Sequence, residues 1–408
     1  MLDRNRGSFR LAASALMISA AVVAVLPSVA DAKKKKPNVV GAVFTETNGA
    51  TNQLLVFNRS SNGKLKLAHK VDAGGKGGFQ EQPGCNPPGG CPFLDAAGEV
   101  IVTSDGKWVF AVNAGSNTIA SFRVGPHNSV KRVGVADSGG VFPTSITVHG
   151  NQLYTLNNNS QNIQGFKISS KGTLAKIPGS NQALTAQHAP LSRQIAFDNT
   201  GKWLVVSQLT DQALDVFKVT GDVAGAATKY PSASAEPFGF AFDPVYNNLV
   251  TSEIVNDQDL NQAGNASSYS LDKSTGALSN INSVSVQSYA PCWVEISKNG
   301  KLAFVVNTGG PSPFGATVTT FGLGSDGKLT FNSVTAADGG FALTDEALSR
   351  DSKYLYVVQP IINNPFASPP PTTNGARLNV YKVGANGKLT RIQRVGGFPP
   401  GASGIDAL

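Results

Sequence analysis

The chain has 408 residues, a formal net charge of +8, 41% hydrophobic residues and 15% charged ones, with 44 glycines and 23 prolines. That balance supplies a large core and excludes a disordered chain. It also gives no strongly basic field, and no stretch interleaves basic and aromatic residues, so no nucleic-acid partner is expected.

Residues 1–32 read as a cleaved signal peptide: Arg4, Arg6 and Arg10 precede an apolar run from Leu11 to Leu26, and Ala30-Asp31-Ala32 supplies small residues at a cleavage site. The run is short for a bilayer span. Membrane attachment is expected only if the segment stays uncleaved. Cleavage removes three Arg and two Asp, leaving +7. Lys33 to Lys36 then form a basic tail, residues 33–37, read as solvated. The expected location is periplasmic or secreted.

From residue 38 to 408 helical periodicity is nearly absent. Short runs rich in Val, Ile, Phe and Thr alternate with Asn-Gly and Asp-Gly pairs, as hairpins require. Cys85 and Cys91 flank "NPPGG", a spacing that allows a small disulfide ring in an exported protein. Cys292, in the apolar stretch "APCWVEIS", reads as a buried free thiol. No metal site is expected, because no second Cys pair or spaced His pair accompanies these residues, and no motif calls for a cofactor.

One phrase recurs about every 50 residues: "TSDGKWVFAVNAG", "DNTGKWLVVSQLT", "SKNGKLAFVVNTG" and "SRDSKYLYVVQPI". Gly106, Gly201, Gly300 and Ser352 share a turn slot. Seven residues later stand Asn113, Gln208, Asn307 and Gln359. Gly150 with Asn157, and Tyr246 with Glu253, repeat the spacing. A second phrase, such as "NGKLKL" at Asn62 and "TGALSN" at Thr275, marks a later hairpin. Each unit is therefore four antiparallel strands, the composition of a propeller blade.

Seven units fit, and they make one all-β domain rather than the two or three that length suggests. The first has three strands of its own, and the closing "GASGIDAL" is expected to supply its innermost strand and remove the open edge. Residues 256–265 read as a solvated acidic loop and 363–375 as a proline loop inside the last blade. If the glycine turn joins the first two strands at one face, the second strand ends at the other. Asn113, Asn157, Gln208, Glu253, Asn307 and Gln359 then ring one channel mouth. Ser145, Arg193, Phe238, Cys292 and Thr344, with Asp345, begin the innermost strands beside them. Amides at strand ends also cap unpaired backbone, a purely structural role.

The runs "EPFGFAFD", "ASSYSL", "APCWVEIS" and "PPGASGIDAL", with Ser252-Glu253, resemble exported members of the lactonase-type seven-bladed propellers. That family includes a 6-phosphogluconolactonase and a carboxy-muconate cycloisomerase, and "YVTN" repeat propellers are similar as well. The resemblance spans residues 38–408 and implies hydrolysis of a sugar or aliphatic lactone. Glu253 would be acid or base and Arg193 the anion holder. His188, Asn113, Asn157, Gln208, Asn307, Gln359 and Asp345 would contact a small-molecule ligand. The sequence departs from the family where a His is expected, at Arg193, and where an Arg is expected, at Phe238. Those departures favour the alternative, a non-catalytic propeller that binds a small molecule, glycan or protein. The chain is expected to be a monomer.

Overall fold

The computed structural model describes residues 38–78, 94–188, 191–255, 263–309, 315–337, 343–360 and 375–408. The leader, the basic tail, Cys85 and Cys91, most of the acidic loop and nearly all of the proline loop lie outside them. The described strands form seven separate antiparallel sheets. Each innermost strand touches the innermost strands of the sheets before and after it, which closes a ring of seven blades.

Blade 1 is built as the repeat count requires. Its innermost strand, Ser403–Ala407, pairs with Val39–Glu46, followed outward by Gln53–Ser60 and Leu65–Asp72. Blades 2 to 7 run outward in chain order from inner strands at Val100–Val102, Pro143–His149, Ser192–Phe197, Pro237–Phe242, Pro291–Ile296 and Thr344–Leu348. Blade 3 has a divided outer edge, Leu174–Lys176 and Gln182–Ala183.

Alternation along the strands explains the packing. In the second strand of blade 2, Val109 and Ala111 face Phe44 and Val56 of blade 1, whereas Phe110 and Val112 face Ile146 and Leu153 of blade 3. Both faces of a blade are thus buried, so its inner strands read as continuous apolar runs. Seven hydrophobic clusters lie between neighbouring blades, including the one that seals blade 7 to blade 1 through Tyr356, Val358, Phe57 and Ile405.

The two sequence phrases have distinct jobs. Gly106, Gly201, Gly300 and Ser352 adopt positive φ in the turns joining first and second strands. In blade 5 the left-handed residue is Asn247, at φ 67°, rather than Tyr246. The expected seven-residue spacing to Glu253 is therefore six there. The second phrase forms the outer hairpin, and its glycine packs on a side chain of the preceding blade, an aromatic one at Gly63, Gly172 and Gly276. A Cβ at Gly276 would fall 2.3 Å from the Trp203 ring.

Candidate functional site

Two rings of residues meet at the face where second strands end. The outer ring contains the expected amides and Glu253. It has a seventh member, Glu46, which ends the second strand of blade 1. Glu253 is therefore one of two acids in that ring. Counting the C-terminal strand as innermost makes Glu46 visible in the sequence.

These side chains turn toward the third strand of their own blade and toward the segment arriving from the preceding blade. Asn113 Nδ2 donates to the Ala73 carbonyl and to Thr118 Oγ1, both at 3.2 Å. Asn157 Nδ2 donates to the Ser138 carbonyl at 3.2 Å, and Gln208 Nε2 to Thr185 Oγ1 at 3.2 Å. Asn307 Nδ2 donates to Thr317 Oγ1 and Thr319 Oγ1, each at 2.9 Å. Gln359 Oε1 accepts from Arg377 Nε at 2.7 Å and Asn379 Nδ2 at 3.0 Å. These contacts clip blades together and satisfy strand ends.

Glu253 follows the same plan with a carboxylate. Its Oε1 accepts from Ser232 Oγ at 2.5 Å, Tyr269 OH at 3.0 Å and the Ser234 amide at 3.1 Å. Ser267 Oγ donates to Oε2. The side chain is fully buried and faces four donors. At 0% exposure, neither of its oxygens is open to solvent.

The inner ring lies at the start of the innermost strands. In blades 1 and 3 to 7, the pairing of inner with second strand slips at that point, leaving Gly404, Thr144, Arg193, Phe238 with Gly239, Cys292 and Asp345 out of register. A bulge re-aims the side chain it carries. Asp345 pays for this with a φ of 44°. Arg193 Cζ lies 5.1 Å from the centre of the Phe238 ring, and that ring packs edge-on against Trp293 at 5.0 Å.

A strap formed by residues 94–99, which leads into blade 2, closes this mouth. The Ala97 amide donates to the Arg193 carbonyl at 3.0 Å, and Ser145 Oγ donates to the Ala97 carbonyl at 2.6 Å. Trp293 Nε1 donates to the Ala96 carbonyl at 2.6 Å. A segment from blade 2 that is anchored on blades 3, 4 and 6 must cross the opening. Arg193 Nη1 binds the Asp95 carbonyl at 2.6 Å and the Asp95 carboxylate at 3.0 Å, while its buried Nε has no partner. Cys292 is a free, buried thiol, and burial, with Asp95 next, pushes its pKa up. It is no nucleophile at neutral pH.

His188 stands off this ring. Its Nδ1 pairs with the Asp211 carboxylate, which also accepts from the Gln187 amide at 2.7 Å and from Lys229 at 3.3 Å. Burial raises the Asp211 pKa, but the hydrogen bonds from His188 and Gln187 outweigh it and hold the group below its usual range. The imidazole itself is 64% exposed.

Asp345 joins a third group, a set of carboxyls on or beside the inner strands that neither repeated phrase includes. Glu99, Glu295, Glu346 and Asp406 stand with it along the channel. Burial pushes Asp345 up to about 7 and Asp406 to about 6. Each of the five is an acid inside or next to an apolar run ("GEVIV", "CWVEIS", "TDEAL", "GIDAL"), and that is the signal that marks them.

No curated protein matches the chain. Solved structures do. A candidate 6-phosphogluconolactonase from Bacteroides fragilis superposes with a TM-score of 0.65 at 16% identity, covering 90% of this chain and 98% of that one. The periplasmic gluconolactonase of Pseudomonas aeruginosa gives 0.64 at 15% identity, covering 90% and 99%. A hypothetical selenium-binding protein from Sulfolobus tokodaii gives 0.64 at 12%, covering 91% and 94%. At these identities the likeness is one of fold. The family described as "Lactonase, 7-bladed beta-propeller" matches residues 43–186 and 253–344, more than half of the sequence. With its ring of seven four-stranded blades, the chain belongs to the lactonase family of seven-bladed β-propellers.

Proposed function

We propose that this propeller binds the carboxylate, or the lactone form, of a small sugar acid at the strap-covered mouth, with Arg193 as the anion holder. The observation that carries this reading is the Arg193–Asp95 pair. An arginine stacked on Phe238 and buried at the axis is neutralised by a carboxylate from the strap rather than from a blade. Asp95 occupies the place that a ligand carboxylate would take, and an arginine fork suits such a group. The strap side chain is 27% exposed, so it is the half of the pair that can leave. The family and the names of the Bacteroides and Pseudomonas proteins support a sugar acid as the ligand class. They also support a periplasmic or secreted location, together with the basic and apolar leader. No described helix is long and apolar enough to cross a membrane.

Hydrolysis is the second reading, and the His188–Asp211 pair is what favours it. A lactone needs an activated water and a base near neutral pKa. Glu253 is fully buried and already accepts four hydrogen bonds, whereas the Asp211 carboxylate orients an exposed His188.

Calorimetric titration of gluconate and 6-phosphogluconate into the purified protein tests the proposal. Asp95→Ala should tighten binding, and Arg193→Ala should abolish it with the fold intact. Absence of binding in the wild type and in Asp95→Ala, both folded, would overturn it.

A further inference from the structure

The channel carboxyls form a second group on the axis, in which Glu99 ends the strap and the other four stand on inner strands. Glu99 and Glu346 are fully or almost fully buried, and their four side-chain oxygens make no close hydrogen bond, with Asp345 near Glu99 and the Val306 and Glu295 amides near Glu346. Two hydroxyls in the same inner strands, Thr344 Oγ1 and Ser403 Oγ, are also buried without partners. Asp345 accepts from the Glu346 amide at 2.9 Å and the Ile405 amide at 3.0 Å, and its carboxyl lies within hydrogen-bonding reach of Glu99. Asp406 accepts from the Val102 amide at 2.7 Å. Glu295 faces Asp345, Asp406 and Glu346.

Buried carboxylates are retained when paired with a cation, a donor set or a proton. Glu346 and Glu295 face each other, with the Val306 and Glu295 amides beside Glu346 but, among the described residues, no buried Lys or Arg next to them. The cationic side chains of Lys298 and Arg350 line a cleft of about 240 Å³ at the turn face, and Glu295 lines it too. Arg350 is itself held by the Thr103 carbonyl at 2.9 Å. Glu295 is only partly buried, so the cleft gives an ion a way in.

We infer that Glu295 and Glu346, on the inner strands of blades 6 and 7, hold a hydrated divalent cation in the axial channel. An all-oxygen donor set selects a hard ion such as Ca²⁺ or Mg²⁺ over zinc. No three carboxyl, imidazole or thiol side chains among the described residues close on one point. The ion therefore keeps part of its water shell. The site ties blade 6 to blade 7, so it stabilises the ring rather than acting in chemistry at the strapped mouth.

The test uses the full chain after chelator treatment, with CaCl₂ or MgCl₂ as probe and NaCl of equal ionic strength as control. Saturable heat at pH 7.5 and a rise in melting temperature of several degrees are expected. Glu295→Gln and Glu346→Gln should each remove both effects. Without cation, each should melt no lower than the wild type, because a buried charge has gone. Asp326→Asn, at an exposed hairpin, should bind like the wild type. If Glu346→Gln does not fold, Glu295→Gln decides. The inference fails if the wild type shows neither saturable heat nor a melting shift beyond the NaCl control. It also fails if both glutamine variants still bind. The first result would leave protons alone to neutralise the cluster.

Discussion

Replacing Glu253 by alanine and by glutamine separates a scaffold from a catalyst. The wild-type carboxylate accepts four hydrogen bonds in a fully buried setting. A hydrogen bond to a charged acceptor is worth about 1.5–3 kcal/mol, and the four share one group, so their losses do not add. Glu253→Ala leaves two serine hydroxyls, the Tyr269 hydroxyl and the Ser234 amide without an acceptor. We expect about 4 kcal/mol of destabilisation. In Glu253→Gln the amide oxygen can take the place of Oε1 and keep three of the bonds. Its NH₂ then donates to Ser267 Oγ, which can turn its own proton to Ser283 Oγ, 2.7 Å away in the structure. The expected cost is about 1 kcal/mol. Urea denaturation followed by fluorescence at fixed pH reads both values. Equal stability of Glu253→Ala and wild type would refute the clip assignment.

Other outcomes follow from the same geometry. Asp345 and Asp406 have folded pKa values of about 7 and 6, above those of an unfolded chain, so the native state binds the extra protons. In chelated protein their contribution is present near pH 4 and is lost as pH rises through 6 and 7. Denaturation at a series of pH values should therefore show stability falling from pH 5 to pH 8, and a rise would refute it. Trp293→Phe removes the donor to the Ala96 carbonyl, so amide exchange at 95–97 should speed up while the blades stay protected. Unchanged exchange would show that the strap does not depend on that bond. Gly276→Ala places a methyl into Trp203 at positive φ and should cost about 2 kcal/mol by urea midpoint; an unchanged midpoint would contradict this packing.

The blade architecture was legible because it repeats. Gly106, Gly201 and Gly300 are spaced as the turns demand, and the C-terminal "GASGIDAL" carries the pattern of an inner strand. The site was less legible, for a geometric reason. Strand alternation places a residue on a face, but the bulge at each inner-strand start shifts that count by one. Arg193, Phe238 and Asp345 are aimed by those bulges, which no spacing reveals. Glu253 stood out as an acid among amides, yet its partners come from positions 14 to 21 residues away and from the preceding blade. The strap was invisible, since "LDAAGE" has no motif and acquires its role only by reaching blades 3, 4 and 6. The inner-strand acids could have been found by asking why charges interrupt buried runs.

The most direct test of the central claim is the rate of hydrolysis of a panel of sugar and aliphatic lactones by wild type, Glu253→Gln and His188→Ala. If Glu253 is a clip and the mouth binds through Arg193, Glu253→Gln hydrolyses every lactone at the wild-type rate, whether that rate is background or above it. A wild type that accelerates hydrolysis and a folded Glu253→Gln that does not would contradict the account.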